Sequence, residues 1–398
     1  MGALAFEACR KHTAPFNEPL WFMRARVLPT DLSTEDHRLW AIDVPALNRW
    51  LYWPVLKLTG FDRVPPGEPF AWEFKDDGVY FQGVRGPDDW IPVTPSHKSI
   101  TWFRSFYGDY APRRGIVALR TVNLAAFLAM LLLLWLTARR IIGSDILAVA
   151  TVVPFCLLHF WITTQAFVSM SGDIFMLAGF ALALFLWTKF HLAGRGASWT
   201  SVIAMGLAAG IATSAKHPGV IVLGAFSLYL LWYARGWDKM LKPVAAAAVA
   251  LCVFTIVNPA ILLYPGARPW EVLGMMVDRR QAVALQAVAH RGDPGLSAIW
   301  RGVFFWLPLM PAALVGAWSL RSEKWLAPVV LWSSSITLVT AVELVRLGVF
   351  EARYAASIEM AVYFTLALMG MALVMRTRAP VAEQNDAGRR SVLDSLAN

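Results

Sequence analysis

Nine apolar stretches fill the chain between about residue 116 and residue 375, and the 115 residues before them contain none. No other feature restricts the possible folds so strongly. Within a bilayer the backbone must satisfy its hydrogen bonds internally, so apolar stretches of this length must be helices. The sequence therefore reads as an all-α polytopic membrane protein with about nine transmembrane helices. The expected spans are Ile116–Thr137, Ile146–Thr163, Ile174–Trp187, Ser201–Ala215, Gly219–Tyr233, Pro243–Leu263, Ile299–Leu320, Trp325–Val345 and Tyr354–Met375. Ser171-Gly172-Asp173 and Lys216-His217-Pro218-Gly219 break the chain beside the short third and fourth spans. Three regions follow: an extracytoplasmic loop domain with amphipathic helices (1–115), a helix bundle (116–376) and a polar, disordered cytoplasmic tail (377–398).

Composition agrees with this class. A hydrophobic content of 57% with 19 Trp exceeds what a soluble domain needs for its core. The mean hydropathy is +0.51. Cys9, Cys156 and Cys252 form no CxxC pair, which argues against both a disulfide framework and a zinc knuckle. The net charge of +9 comes from basic residues scattered through loops, so it does not point to nucleic acid.

Lysine and arginine in short loops set orientation. Alternate loops carry Arg139 and Arg140, Lys189 and Arg195, Arg235, Lys239 and Lys242, and Arg321 and Lys324, and the tail carries Arg376, Arg378, Arg389 and Arg390. That side is read as cytoplasmic. The polar domain, the Lys216 turn, the Tyr264–Ala298 loop and the Arg346–Arg353 turn then face outward. An odd number of spans places residue 1 outside with no signal peptide, so an upstream membrane helix is expected.

Lys216, Arg268, Arg279, Arg280, Arg291, Arg346 and Arg353 lie on the outer side, where the charge rule disfavours them, and Arg120 sits near the outer end of the first span. Such cations suit a phosphate or pyrophosphate head group; snorkelling to lipid phosphates is the plainer reading of any one of them. Asp173 opens a helix at the outer boundary. It is either an N-cap or a functional acid at a membrane helix end. Asp76-Asp77 and Asp88-Asp89 lack the ligand spacing of a calcium loop, and the aromatic stretch around them reads as a small outer subdomain.

The order of motifs resembles that of the GT-C class of polytopic glycosyltransferases, which includes protein O-mannosyltransferases and the lipid A aminoarabinose transferase. Asn17-Glu18-Pro19 and the amphipathic stretch after it resemble the acidic pair opening that class's first outer loop. Asp43-Val44-Pro45-Ala46-Leu47, followed by Trp50 and Tyr52, resembles its second acidic element. Ala138-Arg139-Arg140-Ile141-Ile142-Gly143, Asp173, Gly206 through Lys216, Asn258-Pro259 and Glu351-Ala352-Arg353-Tyr354 resemble later elements in order. Asn17 stands where the class places its catalytic Asp. An amide cannot act as a base, so Glu18 takes that part. Val44 replaces a position that is often Lys or His.

The resemblance implies transfer of a sugar from a polyprenyl-phosphate donor to a lipid, glycan or protein acceptor at the outer face of a bacterial-type cytoplasmic membrane. Such chemistry needs a base for the acceptor hydroxyl and cations for the departing phosphate. The candidate catalytic residues are Glu18, Asp43 and Asp173. Asn17, Arg49, Arg120, Lys216 and Arg353 are the candidate substrate contacts. A divalent metal held by Asp43 and Asp173 would add to leaving-group stabilisation, although no pattern demands one. No other cofactor is expected, and the partners are the donor, the acceptor and membrane lipids. The competing reading is a transporter or lipid flippase, which shares broken helices and intramembrane charge. Against it, no halves repeat, and Arg301, Glu343 and Glu359 lie toward span ends.

Overall fold

A computed structural model describes residues 24–33, 37–38, 41, 45–62, 70–74, 80–85, 90–92, 113–158, 172–278, 309–347 and 357–377. The polar N-terminal region contributes one well-formed helix, α1 (Leu47–Thr59). Asn48, Arg49, Tyr52 and Leu56 recur on a single face and are buried together, whereas Leu51, Lys57 and Leu58 are exposed. Gly60 ends the helix in the left-handed region at φ 76°. Its amide donates to Lys57 O, and that of Phe61 donates to Leu56 O at 2.8 Å, which closes the last turn. Farther along, β1 (Phe70–Phe74), β2 (Tyr80–Arg85) and β3 (Trp90–Pro92) form an antiparallel meander. Trp72 pairs with Gln82, and Val84 with Ile91. This small sheet lies where the sequence suggested a subdomain and is an addition to an otherwise helical fold.

The bundle helices are α2 (Arg113–Ile142), α3 (Asp145–Leu158), α4 (Asp173–Leu192), α5 (Trp199–Ala215), α6 (Ile221–Tyr233) and α7 (Asp238–Val257). They continue with α8 (Ala260–Leu263), α9 (269–278), α10 (Leu309–Ser319), α11 (Leu326–Leu347) and α12 (Ser357–Thr377). Among the described residues, Arg114–Ile142, Asp173–Leu192, Asp238–Val257 and Ser357–Thr377 are long and apolar enough to cross a membrane. Trp199–Ala215, His217–Tyr233 and Leu326–Val342 are shorter apolar helices. The protein is a multi-pass, all-α membrane bundle.

Two expected boundaries are corrected. The sixth span was read as one piece, Pro243–Leu263, but α7 stops at Val257 and α8 is a separate turn. Pro259 disfavours helical geometry at the residue before it, and Asn258 sits at φ −111°, ψ 73°. The Tyr264–Ala298 stretch was read as loop, yet it contains α9. This helix buries Val272 and Met276 with Phe254 and Ile261.

Packing runs α3–α2–α4–α5–α7, with α6 against α7 and α11, and α11 against α4. α5 packs tightly on α7. Gly206 and Gly210 are four residues apart on α5, and a Cβ on either would lie 2.8 Å from Ala246 O or 2.6 Å from Val253 Cβ, respectively. Small residues at this spacing let helix backbones meet where lipid supplies no hydrophobic drive. The buried Trp332 indole donates to Phe180 O at 3.0 Å, which ties α11 to α4. At the basic end Arg139 pairs with Asp145 at 2.7 Å and Lys242 with Asp238 at 2.6 Å. There too the His191 ring lies 2.7 Å from the Tyr229 hydroxyl. The opposite end carries the start of α4, the end of α5, and α1.

Candidate active site

α1 is fastened to that end of the bundle by a set of polar contacts. The Asn258 side chain accepts from the Ala46 amide at 2.7 Å, and its own amide donates to Phe254 O at 2.7 Å. The Trp50 indole donates to Val257 O at 2.8 Å. The Tyr52 hydroxyl donates to Asn123 on α2 at 2.5 Å, with both residues buried. These bonds fill the orphan carbonyls at the end of α7, satisfy a buried amide ahead of α1 and fix the register of α1 over the helix ends.

Beneath α1, α4 begins against the end of α5. Gly172 caps α4 at φ 85°, and a Cβ there would come within 2.6 Å of Ala215 O and 3.8 Å of Asn48 Nδ2. Glycine is therefore required twice, for conformation and for space. Asp173 is the first residue of α4, and Lys216 follows α5 in extended conformation at φ −160°. The Lys216 ammonium donates to the Asp173 carboxylate across this junction. Asp173 is 1% exposed, while the Lys216 side chain keeps 16% of its surface. The N-cap role considered for Asp173 is corrected: Gly172 holds that position, and no side-chain cap bond forms there. The break at Lys216-His217-Pro218-Gly219 becomes a single 3₁₀ turn, His217–Val220, with the Gly219 amide donating to Lys216 O at 2.9 Å.

Arg120 lies one turn before Asn123 on α2 and is 1% exposed. Arg49 is 3% exposed on α1. Burial, then the neighbouring Arg24 guanidinium, push the Arg49 pKa down to about 10, with Asp31 opposing them. It stays charged at neutral pH, at an electrostatic cost. Burial likewise brings Arg26 to about 10, and its Nε donates to Phe61 O at 2.9 Å. Arg268 is not part of this group; its guanidinium lies over the exposed Trp270 ring at 5.4 Å.

Of the expected site residues, Asp173, Lys216, Arg49 and Arg120 are buried or half-buried on the elements that meet around α1. Glu18, Asn17, Asp43 and Arg353 lie outside the described residues. Asn48 and Asn123 were not singled out from sequence, and Tyr52 was noted only as part of a motif. Asn123 carried a signal, being a polar residue within an apolar span. Asn258 was noted only as part of a motif.

The family model for dolichyl-phosphate-mannose-protein mannosyltransferases matches residues 96–268, the stretch that carries α2 through α8, Asp173, Lys216 and Asn258. This likeness supports a GT-C-like membrane glycosyltransferase. The reaction of that family is glycosyl transfer from a lipid-linked donor. Neither a curated protein nor a solved structure matches the chain. Among the described residues no group of three or more His, Cys, Asp or Glu could hold a metal. Asp173 is already occupied by an ammonium, which a cation would have to displace. Asp43, the other metal ligand expected from sequence, lies outside the described residues, and no step is routed through a metal.

Proposed function

We propose that this glycosyltransferase moves a sugar from a polyprenyl-phosphate donor to an acceptor at the outer face of a cytoplasmic membrane, the acceptor being a lipid, glycan or protein. The observation that carries this reading is the junction of α4 and α5 under α1. A buried carboxylate there holds a half-buried lysine ammonium at the helix junction. A cation fixed in this way can stabilise phosphate oxygens as negative charge builds on the leaving group. Arg353 is proposed as a second cation toward the same phosphate. Glu18 is proposed as the base that takes the acceptor proton, with Asp43 orienting that acceptor. Asp173 contributes by placing Lys216. The outward direction is supported by the basic residues gathered at the opposite end of the bundle.

The test uses purified protein in vesicles of known sidedness with a labelled polyprenyl-phosphate sugar. Acceptor-dependent release of polyprenyl phosphate, with substrates supplied only at the face carrying the polar domain, is expected. No release across several sugars, combined with substrate uptake into the vesicles, would replace the enzyme with a transporter.

A further inference from the structure

Beyond α7 the chain leaves the spanning helix but stays apolar. Asn258 and Pro259 end α7, and α8 follows with Leu262 and Leu263 exposed. Gly266, at φ 76°, marks the turn into α9. The Arg268 amide donates to the Glu271 carboxylate at 2.7 Å, which caps the start of α9. The described part of α9 rises only about 15 Å, half the thickness of a bilayer core. Asp278-Arg279-Arg280 then ends its apolar run in the sequence. Its side chains fall into three stripes. Val272 and Met276 are buried with Phe254 and Ile261. Trp270, Gly274 and Val277 share the next face at i, i+4, i+7 spacing, with Trp270 63% and Val277 55% exposed. Glu271 and Asp278, seven residues apart, are exposed on the remaining side.

We propose that α8 and α9 form an interfacial anchor, lying in the plane of the lipid surface at the α1 end of the bundle. Leu262, Leu263, Trp270 and Val277 enter the acyl boundary, while Glu271 and Asp278 face water. Three observations name the bilayer as the occupant of this face. The exposed apolar residues of α8 follow directly in sequence on those of the spanning helix α7, Leu251, Cys252 and Ile256. Trp270 carries the Arg268 guanidinium over its ring at 5.4 Å, a pairing of aromatic and cation that suits the headgroup level. An acidic stripe beside an exposed apolar one is the pattern of a helix lying in an interface rather than across it. The anchor also adjoins the candidate site. It buries Phe254, whose ring centroid lies 6.2 Å from that of His217, the residue after Lys216. Anchoring α9 thus sets the depth of the Lys216 turn relative to lipid headgroups. The proposal needs only the membrane bundle and stands whether or not the chain transfers a sugar.

The experiment places the full chain in vesicles of phosphatidylcholine and phosphatidylglycerol and reads the depth of spin labels. With Cys9→Ser and Cys156→Ser, a label on the exposed Cys252 marks the lipid face of α7. Adding Cys252→Ser and one of Trp270→Cys, Val277→Cys, Glu271→Cys or Asp278→Cys moves the label to α9. Collisions with oxygen, which concentrates among acyl chains, are compared with collisions with a water-soluble nickel chelate. Labels at positions 252, 270 and 277 should favour oxygen, the two on α9 lying shallower than the one on α7. Labels at positions 271 and 278 should favour nickel, with a several-fold lower oxygen-to-nickel ratio. Nickel dominance at positions 270 and 277 would put that face in water and overturn the proposal. Protection of both positions from both reagents would also overturn it, because another segment or a second copy would then cover the face. Should the substituted proteins fail to fold, the unsubstituted chain is photolabelled in the same vesicles with a lipid-soluble diazirine. Modification of Leu262, Leu263, Trp270 and Val277 is then expected, and its absence at all four would overturn the proposal.

Discussion

Replacing Lys216 by Met tests the junction at the centre of the site. The variant removes the ammonium and leaves the Asp173 carboxylate at 1% exposure with its cation gone. Breaking a buried pair from one side costs about 3–5 kcal/mol, mostly from the stranded charge. The Lys216 side chain keeps 16% exposure, so water can enter and the lower end, about 3 kcal/mol, is expected. Asp173→Asn strands the partly hydrated ammonium instead and should cost less, about 1–2 kcal/mol. The double variant Asp173→Asn/Lys216→Met strands neither charge and should fall within about 1 kcal/mol of the wild type. That leaves a coupling of about 3 kcal/mol in the cycle. Denaturant unfolding in mixed micelles reads the stabilities, and polyprenyl-phosphate sugar turnover is measured on the same four proteins. The stable double variant should be inactive. Purely additive costs would mean that the ion pair contributes nothing to the fold, and full turnover in the double variant would make it structural only.

Two other expectations concern packing and acidity. Gly210→Val would drive a side chain into Val253 and Ala250 O, parting α5 from α7; a lower melting temperature and lower membrane yield should follow, while Gly224→Val, with open space at its Cβ, should be nearly neutral. The Asp31 carboxyl is held below its ordinary value first by the Ser33 hydroxyl, with the Ser33 amide and His37 assisting. A depressed folded-state pKa stabilises above the unfolded value of 3.8 and loses that contribution as pH falls through the lower folded value. Acid unfolding of Asp31→Asn should therefore converge with that of the wild type at the acid end of the titration, and a constant gap at all pH would refute the assignment.

The bundle was legible because its spans are uniform apolar runs. Arg139-Arg140 with Gly143, and Lys216 with Pro218-Gly219, punctuate the chain in ways that local chemistry dictates. The split of α7 from α8 was missed because apolar continuity through Ile261-Leu262-Leu263 hid the effect of Pro259 on Asn258. The α1 docking contacts were not legible for a different reason. Ala46 and Asn258 are far apart in sequence, as are Tyr52 and Asn123, and nothing in either local window announces its partner. Within the site, Lys216 and Asp173 were each visible as charges at helix ends. Their pairing depends on Gly172 fitting against Ala215, a matter of tertiary space.

The bond from Ala46 to Asn258 also has a consequence for biogenesis. The two residues are 212 positions apart, so α1 cannot take its seat until α7 has been made and inserted. At ordinary synthesis rates of about 5–20 residues per second, that is a delay of about 10–40 s. During this interval the buried face of α1, with Arg49 and Tyr52, has no bundle end to rest on. The polar domain must wait in a partly assembled state, open to chaperones and proteases at the membrane surface. Substitutions at Asn258 should consequently act on assembly as well as on the finished protein, and the last residue to arrive decides when the first helix is safe.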